Sequence, residues 1–292
     1  MCTFGSKRGV FMPWQRYDVE NQIEITAFHS IFEHHFPKDW DFKGESHDFW
    51  ECVYVIKGDI FASGDGKLYN LSEGQIIFHK PMEFHRLWLD NKDGADVLIF
   101  TFSVTGAFMD FFCGKVFRLS EKERSILSDM LEFMKSAHKN KKLGKLPMEF
   151  TYLAPLGNKE GYLQRIAVFV YMMLFSLSES PNTAKAEETQ DSKIFSEAVK
   201  FMKDNIAKQI SVEEIAKHTN TSTSTLKRIF AKYMGVPIHK YFNNLKISLA
   251  TELLQNGKNV TETAEILGFS SHSHLSRMYK SITGKNPNEV RR

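Results

Sequence analysis

Two ten-residue stretches in the C-terminal third of the chain decide the fold: LKRIFAKYMG at residues 226–235 and LSRMYKSITG at residues 275–284. Both fit the pattern L-x-R-[IM]-[FY]-x4-G, and the second begins 49 residues after the first. Apolar residues recur at helical spacing within each stretch, which predicts an amphipathic helix in both. A repeat at this distance indicates that one structural unit occurs twice.

A helix-capping sequence lies upstream of each copy of the repeat. Ser211-Val-Glu-Glu214 precedes the first copy, and Asn259-Val-Thr-Glu262 precedes the second. In such a sequence the first side chain caps the helix, and the acid bonds back to the capping residue. Asn220-Thr221 and Gly268-Phe269 then interrupt the helical pattern before each copy begins. A short helix, a tight turn and a second helix form a helix-turn-helix, and the sequence predicts two of them.

The second helix of each motif has a polar face opposite an apolar one. The apolar residues are predicted to be core: Leu226, Ile229, Phe230 and Tyr233 in one copy, and Leu275, Met278, Tyr279 and Ile282 in the other. The opposite faces carry hydroxyls and cations: Ser224, Lys227 and Arg228, and then Ser273, Ser276, Arg277 and Lys280. Arginine can read guanine edges, and serine can contact bases or phosphates. These faces favour two DNA-reading helices over a helical array with solvated charges.

The charge distribution agrees with a nucleic-acid partner for one part of the chain. Residues 193–292 contain 16 lysines and arginines against 8 acids, a net charge of +8, whereas residues 1–192 carry −5. A basic region on a mildly acidic body predicts that only this region meets a polyanion. The three widely spaced cysteines predict a reducing cytoplasm, and no apolar run is long enough for a membrane span.

The last hundred residues resemble the AraC/XylS family of transcription regulators. The resemblance is carried by an alanine in each first helix, by the pair before the second reading helix and by the closing G-x-x-P: Ala216, Ala264, Gly268-Phe269, Gly284 and Pro287. It implies that residues 237–255 form a helix connecting the two motifs. Lys246 stands where that family usually has arginine, and Thr263 stands where it usually has isoleucine. The resemblance adds His272 to the predicted DNA-contacting residues.

The N-terminal half has a different pattern. The stretches FWECVYVIKG (49–58), KLYNLSEGQIIFH (67–79) and ADVLIFTFSV (95–104) are rich in the residues that favour strands. Short strands at near-even spacing predict an antiparallel β-barrel or jelly roll. With the helical C-terminal part, the sequence predicts an α+β protein.

Two helices follow the predicted barrel. Ser120 to Glu123 forms a capping sequence for a helix that runs to about residue 138, and residues 160–178 form a very apolar second helix. We expect this apolar excess to be covered by a second copy of the chain, with Val170 and Met173 facing the partner; packing within one chain is the alternative. The predicted units are a sensing and dimerisation domain at 1–178, a linker at 179–192 and the tandem helix-turn-helix domain at 193–292.

Acidic and histidine side chains recur within one predicted strand. Alternation puts Glu45, His47, Phe49 and Glu51 on one face. These residues resemble the first cupin motif, H-x-H-x3-E-x6-G, with Glu45 in place of the first histidine. Residues 74–85, GQIIFHKPMEFH, resemble the second cupin motif and end at His85.

The two motifs predict that these groups converge inside the barrel. One interpretation is an effector pocket with Glu45, His47, Glu51 and His85 as its polar part and Phe49 and Trp88 as aromatic walls. A second is a metal site, with His47, Glu51 and His85 as candidate ligands. A third is a solvated or structural cluster. The family resemblance implies a small organic effector, such as a sugar or related metabolite, without a metal or other cofactor.

The sequence as a whole predicts a cytoplasmic transcription regulator that is not an enzyme. It would bind double-stranded DNA as a homodimer, would not contact a membrane, and would respond to a small-molecule effector in the barrel. Two alternatives stay open: a metal-dependent cupin enzyme with an attached DNA-binding domain, and a constitutive architectural DNA-binding protein with an inactive barrel.

Overall fold

The computed structural model describes most of the chain of 292 residues. The described residues are 16–64, 66–90, 93–138, 152–153, 156, 159–180, 183–184 and 189–290. Residues 1–15 of the predicted sensing domain, residues 181–182 and 185–188 of the predicted linker, and residues 291–292 lie outside them.

In the described part of the N-terminal half, antiparallel strands form two sheets. The strands are β1 (Glu24–Phe36), β2 (Trp50–Lys57), β3 (Asp59–Gly64), β4 (Lys67–Ser72), β5 (Gln75–His79), β6 (Arg86–Trp88), β7 (Ala95–Thr105), β8 (Val116–Arg118) and β9 (Thr183–Ala184). The larger sheet has the order β1-β7-β2-β5-β8-β9, and the smaller has the order β4-β3-β6. The predicted antiparallel strands are confirmed, but they do not close into a barrel, because among these strands none of one sheet is hydrogen-bonded to a strand of the other.

The middle of the larger sheet is buried on both faces, as its central strand β2 illustrates. Its Cys52 lies in the core under the helices that follow the strands, whereas Val53 and Val55 lie in the core between the two sheets. Both cores are apolar, which explains why β2 reads as a continuous apolar run in the sequence. Since side chains alternate along a strand, Glu51 shares the inner face with Val53 and Val55.

Two helices cover the outer face of the larger sheet: α1 (Glu121–His138) and α2 (Tyr162–Ser178). The N–H of Ser120 donates to Glu123 Oε2 at 2.7 Å, so the predicted capping contact precedes α1. On α2, Val170 and Met173 are fully buried in the core that the helices share with the sheet. Their predicted orientation toward a partner subunit is therefore wrong.

The C-terminal part is helical, as predicted. Its helices are α3 (Gln190–Asp204), α4 (Val212–His218), α5 (Thr223–Met234), α6 (Ile238–Gln255), α7 (Val260–Ile266) and α8 (His272–Thr283). Ser211 with Glu214 and Asn259 with Glu262 form the predicted reciprocal caps of α4 and α7. Because α3 begins at Gln190, the helical unit starts inside the predicted linker.

The turn of the second motif requires glycine. Gly268 has a φ of +67°, and a Cβ atom there would lie 1.7 Å from the carbonyl oxygen of Ala207. The connecting helix α6 supports the same turn, since Lys246 donates from Nζ to the carbonyl oxygen of Leu267 at 2.9 Å. Lys246 thus links the connecting helix to the end of α7 without needing an acidic partner.

The helical unit packs against the smaller sheet. Leu68 and Trp88 of this sheet share one apolar core with Phe195 of α3 and with Phe230 and Tyr233 of α5. Polar contacts cross the same boundary: Ser63 Oγ donates to the carbonyl oxygen of Tyr233 at 2.7 Å, and the Arg86 guanidinium donates to that of Lys232. We call this contact region the interdomain interface.

Candidate ligand site and DNA-contacting helices

Four ionisable side chains meet beside the inner face of the larger sheet. One potential ligand atom from each of Glu45, His47, Glu51 and His85 lies within 4.8 Å of the others. Two backbone hydrogen bonds of 3.0 Å hold Glu45 and His85 next to each other. Glu51 and His85 are buried, whereas Glu45 is exposed at the outer end of the group. We call these four residues the His/Glu cluster.

The cluster forms although one premise of its prediction is wrong. β2 begins at Trp50, so residues 45–49 are not part of a strand and do not alternate with Glu51. Instead a loop positions His47, whose carbonyl oxygen accepts a hydrogen bond of 2.6 Å from the N–H of Met82. The Phe49 ring stacks on the His47 imidazole with centroids 3.9 Å apart.

A hydrogen bond at Nδ1 orients each histidine of the cluster. Nδ1 of His47 lies 2.9 Å from the carbonyl oxygen of Phe49, and Nδ1 of His85 lies 3.0 Å from that of Glu83. Since a carbonyl oxygen only accepts, both Nδ1 atoms carry protons. The Nε2 atoms of His47 and His85 lie 3.6 and 3.4 Å from the Glu51 carboxylate, and neither has a hydrogen-bond partner among the described residues.

Burial and charge act in opposite directions on the pKa values of Glu51 and His85. Burial alone would raise the pKa of Glu51, but the adjacent imidazoles of His85 and His47 hold it well below its usual range. Burial alone would lower the pKa of His85, but the Glu51 carboxylate raises it to about 9. The pairing of Glu51 with His85 therefore favours the carboxylate of the one and the imidazolium of the other.

Two further buried residues adjoin the cluster and were not predicted from the sequence. His79 stacks on His85 with ring centroids 4.4 Å apart, and its Nδ1 lies 3.1 Å from a carboxylate oxygen of Glu83. His79 is brought there by the pairing of β2 with β5, in which it is the partner of Glu51. Its place depends on strand register, which the sequence alone does not reveal.

A cavity of about 90 Å³ opens between the cluster and an apolar wall. It is lined by three residues of the cluster, Glu45, Glu51 and His85, and by Phe32, Phe36, Trp40, Phe42, Leu87 and Ile99. The predicted walls Phe49 and Trp88 are not among these residues. Trp88 stacks on Phe61 and lines a separate cavity of about 340 Å³ at the interdomain interface.

The predicted DNA-contacting side chains lie on the surface of α5 and at or near the surface of α8. Ser224, Lys227, Arg228, His272, Ser273, Arg277 and Lys280 are exposed, and Ser276 is half-buried. The predicted core of α5 is fully internal, whereas in α8 Leu275 and Tyr279 are buried and Met278 and Ile282 are half-buried. Arg228 is paired with Asp191 of α3, with Nη1–Oδ2 and Nη2–Oδ1 distances of 3.0 Å each.

None of the helices within the described ranges has the length and apolarity needed to cross a membrane.

Two sequence-family models match the chain. Residues 31–129 match the AraC-like ligand binding domain, and residues 215–292 match a helix-turn-helix domain. The first match contains the whole His/Glu cluster, and the second contains both predicted reading helices.

Relatives of this chain match it over both of these regions. YfiF of Bacillus subtilis (strain 168), an uncharacterized HTH-type transcriptional regulator, is 26% identical over 261 residues, which cover 82% of this chain and 76% of YfiF. The HTH-type transcriptional activator RhaS of Enterobacter sp. (strain 638) is 22% identical over 259 residues, covering 86% of this chain and 87% of RhaS. Among solved structures, ToxT from Vibrio cholerae O395 aligns over 92% of this chain and 97% of its own, at 16% identity and a TM-score of 0.38.

Proposed function

Because the chain belongs to the AraC family of DNA-binding transcription regulators and has a ligand-binding domain, we propose that a ligand at the His/Glu cluster controls how its two reading helices meet DNA. The observation that carries this proposal is the position of the cluster. His47 is adjacent to Asp48, and the Asp48 carboxylate pairs with Lys285 just beyond α8. A ligand that moves the loop at residues 45–48 would therefore act on the second reading helix.

The exposed polar faces of α5 and α8 support the proposed DNA contacts. The residues that meet DNA are Ser224, Lys227 and Arg228 of α5, and His272, Ser273, Ser276, Arg277 and Lys280 of α8. Helices of such motifs enter successive major-groove segments about 34 Å, or roughly 10 bp, apart. One chain would thus read two adjacent segments on one face of the duplex.

The size of the cavity beside the cluster limits the effector. Pockets for organic ligands usually measure about 300–1,000 Å³, whereas this cavity measures about 90 Å³. A sugar, the effector class that the family resemblance favours, would require the aromatic wall of Phe36, Trp40 and Phe42 to move. The observed volume favours a smaller ligand.

An apolar strip on α2 supports the proposal of a homodimer. Val168, Met172 and Phe175 follow one another at helical spacing, and their exposed fractions are 53, 50 and 47%. Side chains of this size are usually covered when they form a contiguous surface. A second copy of α2 offers the same surface, as a two-fold interface requires.

The relatives favour a regulator over the metal-dependent cupin enzyme that the sequence left open, since both YfiF and RhaS are transcriptional regulators by name. Catalysis is not needed to explain the cluster, because orientation of a bound ligand explains its polar groups equally well.

Binding-site selection from random duplexes tests the function. The full chain should enrich a common sequence and bind it at least about a thousandfold more tightly than a scrambled duplex of the same length. The double variant Arg228→Ala/Arg277→Ala is the matched control and should lose this preference while retaining weak binding to any duplex. A selected pool without a shared sequence, or equal affinity for both duplexes, would reject a sequence-specific regulator.

A further inference from the structure

We propose that the ligand of the sensing domain is a divalent transition-metal ion, bound by Glu45, His47, Glu51 and His85. This inference rests on the proposed function and deepens it by naming the class of ligand. The four side chains offer two imidazole nitrogens and two carboxylates within 4.8 Å. Nitrogen and oxygen donors in this combination suit zinc, iron(II) or manganese.

The orientation of the two histidines points to a metal. Nδ1 of His47 and Nδ1 of His85 each donate to a backbone carbonyl, which leaves Nε2 as the atom that faces the centre of the cluster. Metal-binding histidines are usually held in this way, with one nitrogen fixed by a hydrogen bond and the other directed at the ion. Both Nε2 atoms are buried and have no hydrogen-bond partner within the described chain.

The distances around Glu51 match ligands that share one ion. Nε2 of His47 and Nε2 of His85 lie 3.6 and 3.4 Å from its carboxylate oxygens, which is long for a hydrogen bond. Two atoms that each lie about 2.1 Å from a tetrahedral ion are separated by about 3.4 Å. The cluster therefore needs little rearrangement to receive an ion, apart from an inward movement of the exposed Glu45.

Charge and volume also favour an ion over an organic molecule. Two carboxylates with two neutral imidazoles carry a charge of −2, which a divalent cation neutralises. The adjacent cavity of about 90 Å³ has room for roughly three waters, at about 30 Å³ each, to complete the coordination.

The loop at residues 45–48 connects the proposed ion to the DNA-binding unit. His47 provides a ligand, and the next residue, Asp48, pairs with Lys285. His47 also accepts a hydrogen bond from Met82, whose side chain packs in one core with Leu275 and Tyr279 of α8. An ion that draws in Glu45 and His47 thus changes the position of two contacts with the second motif.

Metal titration of the full chain tests the site. Protein freed of metal with a chelator is titrated with Zn²⁺, Mn²⁺ and, without oxygen, Fe²⁺ in competition with a chromophoric chelator. Co²⁺ serves as a spectroscopic probe of coordination. We expect one equivalent of at least one of these ions to bind, and His85→Ala and the isosteric Glu51→Gln to weaken binding by at least about a hundredfold. His35→Ala, at an exposed histidine that bonds Asp96, is the matched control and should bind as the wild type does.

Circular dichroism of each variant distinguishes the loss of a metal-binding side chain from the loss of the fold. If His85→Ala does not fold, Glu51→Gln still tests the site, because it keeps the shape of the side chain. Absence of stoichiometric binding by the wild type would overturn the proposal, as would equal binding by wild type and Glu51→Gln. Neither result would affect the selection of a DNA sequence, so the metal experiment and the DNA-selection experiment test the two proposals independently.

The coupling between metal binding and DNA binding is tested separately. The metal-loaded and metal-free wild type should differ at least about threefold in affinity for the selected duplex, a shift within the range of allosteric coupling. Asp48→Asn should reduce this difference while leaving the metal affinity unchanged. Identical DNA affinity with and without the ion would show that the ion has no regulatory role.

Discussion

Asp191 binds Arg228 with both carboxylate oxygens, so a cation on the predicted DNA-facing side of α5 is already paired with an acid of the same chain. Asp191 lies in the first turn of α3, and Arg228 lies on the exposed face of α5. Bidentate pairs fix the guanidinium in one plane. If Arg228 reads a base, as we propose, it must first leave this carboxylate.

Replacing this acid should strengthen DNA binding. We expect Asp191→Asn to tighten binding to the selected duplex by roughly two- to fivefold, because exposed ion pairs are weak and only a modest contact is lost. Fluorescence anisotropy measures the change. Asp204→Asn, at an exposed acid of the same helix that pairs with Lys200, is the control for the loss of a negative charge. The gain should vanish when Asp191→Asn is combined with Arg228→Ala; a gain that persists in the double variant would exclude competition for Arg228.

The arginines and the lysine of the two reading helices should behave differently. Arg228→Ala and Arg277→Ala should each reduce affinity for the selected duplex by roughly tenfold to a hundredfold, with little effect on a scrambled one, if each arginine reads a base. Lys280→Ala should weaken both duplexes alike and flatten the salt dependence, as expected for a phosphate contact. If both arginine variants bind the selected duplex like the wild type, the assignment of the DNA-facing side is incorrect.

Arg86 should be required for the interdomain interface. This buried side chain of β6 donates to the carbonyl oxygens of Lys232 and of Phe42, the latter at 2.8 Å. Its removal leaves these acceptors without a charged donor, so Arg86→Ala should lower the free energy of unfolding by about 2–4 kcal/mol. Calorimetry should then resolve two unfolding transitions, one for the sensing domain and one for the helical unit, because the interface no longer joins them. Arg118→Ala, at an exposed arginine of β8, should leave the transition unchanged, and equal melting curves for the two variants would contradict a special role of Arg86.

The exposed strip of α2 should determine the oligomeric state. We expect the wild type to sediment as a dimer at about 10–50 μM, as an obligate dimer does at such a working concentration. Met172→Glu should sediment as a folded monomer, because it places a charge at the centre of the strip. Ile266→Glu is a matched control, since Ile266 of α7 is a similarly exposed apolar residue at 44%. A wild-type monomer, or a dimer that Met172→Glu does not weaken, would place the interface elsewhere.

The tandem motif could be predicted in detail because its signals are local. The caps at Ser211 and Asn259 and the core residues Leu226 and Leu275 depend on side chains within one or two helical turns. The turn at Gly268 can be predicted for the same reason, although its close approach to Ala207 is evident only in three dimensions.

The sensing domain was predicted less completely because its decisive contacts are distant in sequence. Glu51 faces His79 through strand register, and Trp88 packs on the helical unit rather than beside the cluster. The sequence of α2 shows an apolar excess, but Val170 and Met173 fill the core, and the exposed strip lies on the opposite side of the helix. Periodicity identifies that a helix has an apolar face without specifying what covers it.

The short strand β9 has a practical consequence for work on the sensing domain alone. Its backbone pairs with β8 at the edge of the larger sheet, and it belongs to the segment that leads to the helical unit. A truncation after residue 178 would remove it and leave the main-chain N–H and C=O groups of Val116 and Phe117 open for pairing with another molecule. Such a fragment should aggregate, whereas one that ends after residue 184 keeps this edge protected.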